Sequence, residues 1–153
     1  MGACHTGPIL SCVTTSSVPP AALPASRLRQ ALAGAARREH VVAAVLTSHR
    51  CPWCIALMRE QLEPRMRSRE SPALVVVEMD IDDATAIALP DGSAMTASQW
   101  GVRLGMNLTP TLAMLDRQAR PIRPPLVGYA SRDFYAAYLE EQIKAAQLYW
   151  QNS

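Results

Sequence analysis

The strongest constraint in this chain is a pair of cysteines set where a buried strand gives way to a helix. Val41 to Thr47 is a continuous apolar run rich in β-branched residues, the pattern of a strand covered on both faces. Cys51-Pro52-Trp53-Cys54 follows directly. Ile55, Leu57, Met58 and Leu62 then suit an amphipathic helix ending around Glu63-Pro64 or one turn later. This junction puts Cys51 at a helix N-terminus, where unpaired backbone N–H groups and the helix dipole favour an anion. The thiolate is the reactive form of a cysteine, so Cys51 is the expected attacking sulfur. Cys54, one turn further in, is the expected resolving sulfur, more buried than its partner. Pro52 suits the first helical position, where its missing N–H would have been unpaired anyway.

The rest of the chain alternates in the same way. Ser26 is placed to cap a helix over 27–38, and 73–81 reads as a second buried strand. Residues 83–96 contain Asp91-Gly92, a turn signal, and read as an inserted loop or short hairpin. A short helix over 97–104 closes at Gly105. Short strands at 112–116 and 125–129 carry nearby prolines that suit edges rather than a sheet centre. Ser131 is placed to cap a long helix over 132–149, with Phe134, Tyr138, Leu139, Ile143 and Ala146 facing inward. Alternation first and an antiparallel pair last describes a small mixed sheet with helices on both sides.

Residues 1–25 are rich in Ser, Thr, Pro, Ala and Gly and read as a flexible extension before a single domain over 26–153. Residues 1–26 hold no Lys or Arg, and four prolines break any apolar core, so they do not match an export signal. Ile9-Leu10-Ser11-Cys12 loosely resembles a lipoprotein cleavage box, without the charged and apolar segments that would precede one. No apolar run approaches the roughly 18 residues of a membrane span. A net charge of +2 without a basic run excludes a nucleic-acid partner on electrostatic grounds. Four cysteines in 153 residues are too sparse for a secreted disulfide scaffold. Cys4 and Cys12 carry no assignment.

Downstream, Thr109-Pro110-Thr111 immediately precedes the strand beginning at Leu112, with Gln99-Trp100-Gly101-Val102-Arg103 before it and Leu126-Val127-Gly128-Tyr129 after it. With the C-x-x-C, these stretches resemble the thioredoxin superfamily over roughly residues 40–147. The resemblance implies an α/β thioredoxin fold: a central mixed sheet of four or five strands flanked by helices, with an insertion before a cis-proline at Pro110. It also implies that Pro110 sits beside Cys51 and that the backbone of Thr109 pairs with a substrate polypeptide as an added strand. The implied activity is thiol–disulfide exchange with protein disulfide substrates and a redox partner protein, more as a reductase than an oxidant. It needs no cofactor and no metal, and it suits a monomer. The insertion and the Thr-Pro are similar to bacterial exported thioredoxin-like proteins of sulfur oxidation or cytochrome maturation, which implies the periplasm or cell envelope; the cytoplasm is the alternative.

Two features depart from thioredoxins proper. Arg50 stands where they carry Trp, and Pro52-Trp53 stands between the cysteines where they carry Gly-Pro. Their buried Asp and its Lys partner correspond here to Val45 and Glu78, so the proton relay is missing or rearranged. Glu78 is then a candidate buried carboxylate accepting a proton from Cys54, or a strand residue facing solvent. His49 and Arg50 are candidates for stabilising the Cys51 thiolate, and Trp53 for part of an apolar docking face. Three alternatives stay open. Cys51, Cys54 and His49 supply three zinc ligands, though no second C-x-x-C supplies a fourth. A non-catalytic adaptor would keep the disulfide as structure alone. Glutaredoxins favour Cys-Pro-x-Cys, but their Thr-Val-Pro and Gly-Gly-Asp segments are not matched here.

Overall fold

In the computed structural model, which describes residues 21–153, the chain enters as a two-residue strand, β1 (Leu23–Pro24). A 3-10 turn (Ala25–Arg27) leads into α1 (Leu28–Ala36) and then β2 (Val41–Thr47). The helix after the cysteines runs through α2 (Pro52–Leu57), a π turn (Met58–Leu62) and α3 (Glu63–Arg67). β3 (Leu74–Asp80), the hairpin β4 (Ile87–Ala88) with β5 (Ala94–Met95), and α4 (Ala97–Arg103) follow. β6 (Thr111–Met114), β7 (Leu126–Val127) and α5 (Arg132–Gln151) complete the fold. Among the described residues no helix is long and apolar enough to cross a membrane.

The main sheet has five strands in the order β1-β3-β2-β6-β7. β3 runs parallel to both β1 and β2, while β6 runs antiparallel to β2 and to β7. All seven residues of β2 are buried, which is why its sequence is apolar without alternation. The insertion forms the separate two-stranded sheet of β4 and β5, turned at Gly92 with φ +88°.

Pro64 explains the π turn. A proline inside a helix cannot donate to the carbonyl four residues back, and its ring crowds that carbonyl. The turn before it widens, and the Glu63 N–H bonds the Met58 carbonyl five residues back. The helix thus continues past the proline to Arg67. α4 starts with a reciprocal cap: Gln99 N–H donates to Thr96 Oγ1 at 3.1 Å and Thr96 N–H donates to Gln99 Oε1 at 2.9 Å.

Four details differ from the sequence reading. Leu23–Pro24 is an ordered edge strand paired with Val77 and Glu78, so the fold begins before residue 26. Residues 1–20 of the expected extension, with Cys4, Cys12 and the Ile9–Cys12 stretch, lie outside the described residues. Ser26 is inside the 3-10 turn, and the N-cap of α1 is Arg27 with no side-chain cap bond. Ser131 is the N-cap of α5 by backbone geometry, also without a side-chain bond. Finally, Phe134 and Tyr138 point outward. The inner face of α5 is Tyr135, Leu139, Gln142, Ile143, Ala146 and Trp150. Gln142 is admitted to that face because its Nε2 donates to the Pro124 carbonyl at 2.7 Å.

Two glycines are required by close approach. A Cβ on Gly101 would stand 2.7 Å from the Met106 carbonyl oxygen and 3.2 Å from a Leu46 methyl. We expect Gly101→Ala to destabilise the fold by about 1–3 kcal/mol, lowering the thermal midpoint by roughly 3–10 °C. Gly34 likewise leaves room for the His40 ring, whose Nε2 donates to the Ala31 carbonyl at 2.8 Å. Burial holds the His40 imidazole below its usual pKa despite that hydrogen bond. The unfolded chain therefore binds more protons than the folded chain as pH falls below the ordinary histidine value, and stability declines. Thermal melts between pH 7.5 and 5 should show this loss, and His40→Gln should flatten it.

Candidate active site

The carboxyl end of β2 delivers a three-residue loop, Ser48-His49-Arg50, that turns the chain into the cysteine helix. Arg50 makes the reversal in the left-handed region at φ +56°, a conformation uncommon outside glycine. Cys51 is then the N-cap of α2, and Pro52 is its first residue. The Cys54 N–H is shared between Cys51 Sγ at 3.2 Å and the Cys51 carbonyl at 3.1 Å, so a donor of the first helical turn points at the first sulfur. Cys51 and Cys54 are joined as a disulfide, with Cα atoms 5.3 Å apart. Cys51 is 8% exposed and Cys54 4%, the order expected of an attacking and a resolving sulfur. Trp53 between them is 62% exposed.

The Thr109–Pro110 peptide bond is cis. This segment is tied to the cysteine loop by Ser48 Oγ and Thr109 Oγ1, 2.9 Å apart. It is further held by Thr111 Oγ1 donating to the Leu108 carbonyl at 2.6 Å and Gly128 N–H donating to the Pro110 carbonyl at 2.8 Å. Around it, Leu108 and Val127 are exposed. Val127 stands opposite Thr111 in the β6–β7 pair. Trp53, Leu108 and Val127 thus supply apolar surface from the cysteine motif, the proline loop and the edge strand.

The charged candidates sit differently from expectation. Val45 and Glu78 are register partners on β2 and β3, but Glu78 is exposed and accepts a hydrogen bond from Thr47 Oγ1 at 3.0 Å. It is not the buried carboxylate that a proton relay beneath Cys54 needs, because β3 reaches solvent at this position and a neighbouring hydroxyl satisfies the carboxylate. His49 is exposed, with Nε2 3.1 Å from Asp80 Oδ2 and its backbone N–H donating to Asp82 Oδ2 at 2.6 Å. Arg50 is exposed beside Cys51.

Those contacts also engage the residues of the zinc alternative otherwise: the cysteines bond each other, and His49 bonds Asp80. The donor atoms that do converge are those of His49, Asp80 and Asp82, all within 4.8 Å of one another. Such a nitrogen-and-carboxylate set can hold a divalent cation, but the same atoms are already used in an ion pair and a loop hydrogen bond.

Sequence reasoning did not single out Ser48, Asp80 or Asp82. It also missed the cluster that braces the cysteine helix from behind. Glu60 Oε2 accepts from Arg132 Nε and from Tyr129 Oη, both at 2.8 Å. Gln61 Nε2 donates to the Arg132 carbonyl at 3.0 Å and to Tyr129 Oη at 3.2 Å. The Arg132 guanidinium, with help from Tyr129, holds the Glu60 carboxyl below its usual pKa. The available signal was that Glu60 and Gln61 lie in the turn before Pro64, the one a proline at that place disturbs.

Solved structures share this architecture. Oxidised thioredoxin O2 from Arabidopsis thaliana is 16% identical with a TM-score of 0.54, covering 81% of this chain and 96% of that one. A poplar thioredoxin h is 19% identical with a TM-score of 0.55, covering 80% and 96%. The oxidised C-terminal domain of Neisseria meningitidis DsbD is 12% identical with a TM-score of 0.51, covering 80% and 98%. At these identities the likeness shows the fold. A sequence search of curated proteins returns no significant match. The family model described as a thioredoxin-like domain matches residues 28–143, and the chain belongs to that family.

Proposed function

We propose that this protein is a thiol–disulfide oxidoreductase that reduces protein disulfides through Cys51 and Cys54. The observation that carries the reading is the Cys54 N–H aimed at Cys51 Sγ at the head of the helix, beside an exposed Trp53. That donor stabilises negative charge on the first sulfur.

In the reduced protein, the Cys51 thiolate attacks a partner disulfide. The partner S–S bond breaks, a Cys51–partner bond forms, and the partner's leaving sulfur takes a proton from solvent. Cys54 then loses its proton and attacks Cys51 Sγ. This releases the second partner sulfur as a thiol and leaves the Cys51–Cys54 disulfide. Two electrons pass to the substrate, and a reduced partner protein returns them by the reverse exchange. With Glu78 exposed, water at the rim is the proposed acceptor for the Cys54 proton. Arg50 supplies a fixed positive charge next to Cys51, and His49 adds to it when protonated. Thr109 and Pro110 present the backbone against which the substrate lies, with Trp53 as apolar contact. The proposed setting is the bacterial cell envelope, with the chain acting as a monomer.

The direction of transfer is read from the potential of the pair. Titration in graded thiol buffers, followed by tryptophan fluorescence, should give a midpoint nearer the roughly −270 mV of thioredoxin than the roughly −120 mV of DsbA. A midpoint at the oxidising end would make the protein a disulfide donor, and the absence of a reversible two-electron transition would leave only a structural disulfide. The order of attack has its own test. Cys54→Ser should accumulate a mixed disulfide with a polypeptide substrate, seen by mass spectrometry and released by dithiothreitol, whereas Cys51→Ser should accumulate none.

A further inference from the structure

We propose that Ser48 is a positioning residue that sets the docking edge for polypeptide substrates, separately from the chemistry at sulfur. This rests on the oxidoreductase reading above.

The argument begins with the ladder between β2 and β6. Their last paired residues are Leu46 and Thr111, and carrying the register two places further puts Ser48 opposite Thr109. The backbone ladder ends at Leu46 and Thr111, before this pair is reached. Here the two side-chain hydroxyls meet instead, Ser48 Oγ to Thr109 Oγ1 at 2.9 Å. This side-chain bond ties the Thr109 segment to the cysteine loop past the end of the ladder. Among the described residues, the backbone N–H and C=O of Thr109 have no hydrogen-bond partner. They are open to an added strand.

Ser48 is itself fixed from both sides. Thr47 before it ends β2 and its carbonyl accepts the Ile81 N–H at 2.9 Å, while the next N–H, that of His49, is held by Asp82. The hydroxyl is thus presented from a rigid loop to a segment with fewer restraints. Losing it would leave Thr109 Oγ1 without this partner and free the segment to shift relative to Cys51. A small disulfide needs only the sulfur and would not register that shift. A polypeptide must align its backbone with Thr109 and its disulfide with Cys51 at once, so it would.

The test compares two disulfides on the same reduced enzyme: insulin, and the small aromatic disulfide 5,5′-dithiobis(2-nitrobenzoate). Ser48→Ala should lower kcat/KM for insulin by about tenfold, chiefly through KM, while changing the rate with the small disulfide less than about twofold. The reduction potential of the pair should stay unchanged, and Ser48→Thr, which keeps the hydroxyl, should restore most of the insulin rate. An equal loss on both substrates, a shifted potential, or no loss on either overturns the assignment to Ser48. If the wild-type protein turns over neither substrate, the oxidoreductase reading fails, and this inference with it.

Discussion

Because β2 is paired with β3 on one side and β6 on the other while every one of its seven residues is buried, its carboxyl end is a fixed point in the molecule. Each of its larger apolar side chains contributes on the order of 1.5–3 kcal/mol by leaving water, and none can slip register without breaking both ladders. The loop that begins at Ser48 inherits this rigidity. Its reach to Asp82 on one side and Thr109 on the other joins the C-terminal end of β3, the cysteine helix and the proline segment into one rim. The disulfide sits at this rim, and its coordinates are set in the core.

The cysteine helix is held at its far end by different means. Arg65 is buried, and its guanidinium bonds Glu140 at 3.0 Å and the Pro72 carbonyl at 3.0 Å. Glu60 and Gln61, in the widened turn, bind Tyr129 and the start of α5. The helix is thus fixed to its neighbours on both sides of Pro64, where its own hydrogen bonding is weakest. This polar bracing does for the C-terminal half what apolar burial of Leu57 and Leu62 does for the N-terminal half.

Much of the frame was legible from residues 41–81, where two continuous apolar runs bracket an amphipathic helix and leave few alternatives. The C-x-x-C was informative because it fell at the strand–helix junction. What escaped reading was set by partners distant in sequence. Leu23–Pro24 is too short for any periodicity and becomes a strand only by lying along Val77 and Glu78. The phase of α5 was misjudged at Phe134 and Tyr138 because residue type suggested burial, whereas the neighbours admit Tyr135 and a hydrogen-bonded Gln142. Glu78 looked like a candidate relay because it stands where thioredoxins carry the Lys partner of their buried Asp; its exposure depends on how far β3 is covered, which sequence spacing does not encode. Ser48 carried no motif at all, since what marks it is a hydroxyl contact with Thr109 just past the end of the β2–β6 ladder.

The distribution of proline around the sheet has a consequence for solubility. β1 ends in Pro24, and β7 is two residues long and follows Pro124-Pro125. Neither border offers a run of free backbone long enough to recruit another sheet, a common route to fibrils. Past the end of the β2–β6 ladder, the unpartnered backbone among the described residues is that of Thr109, a single residue rather than a ladder. Under the proposed function, a chain shaped this way would meet a polypeptide substrate at one short edge without becoming a template on which such polypeptides accumulate.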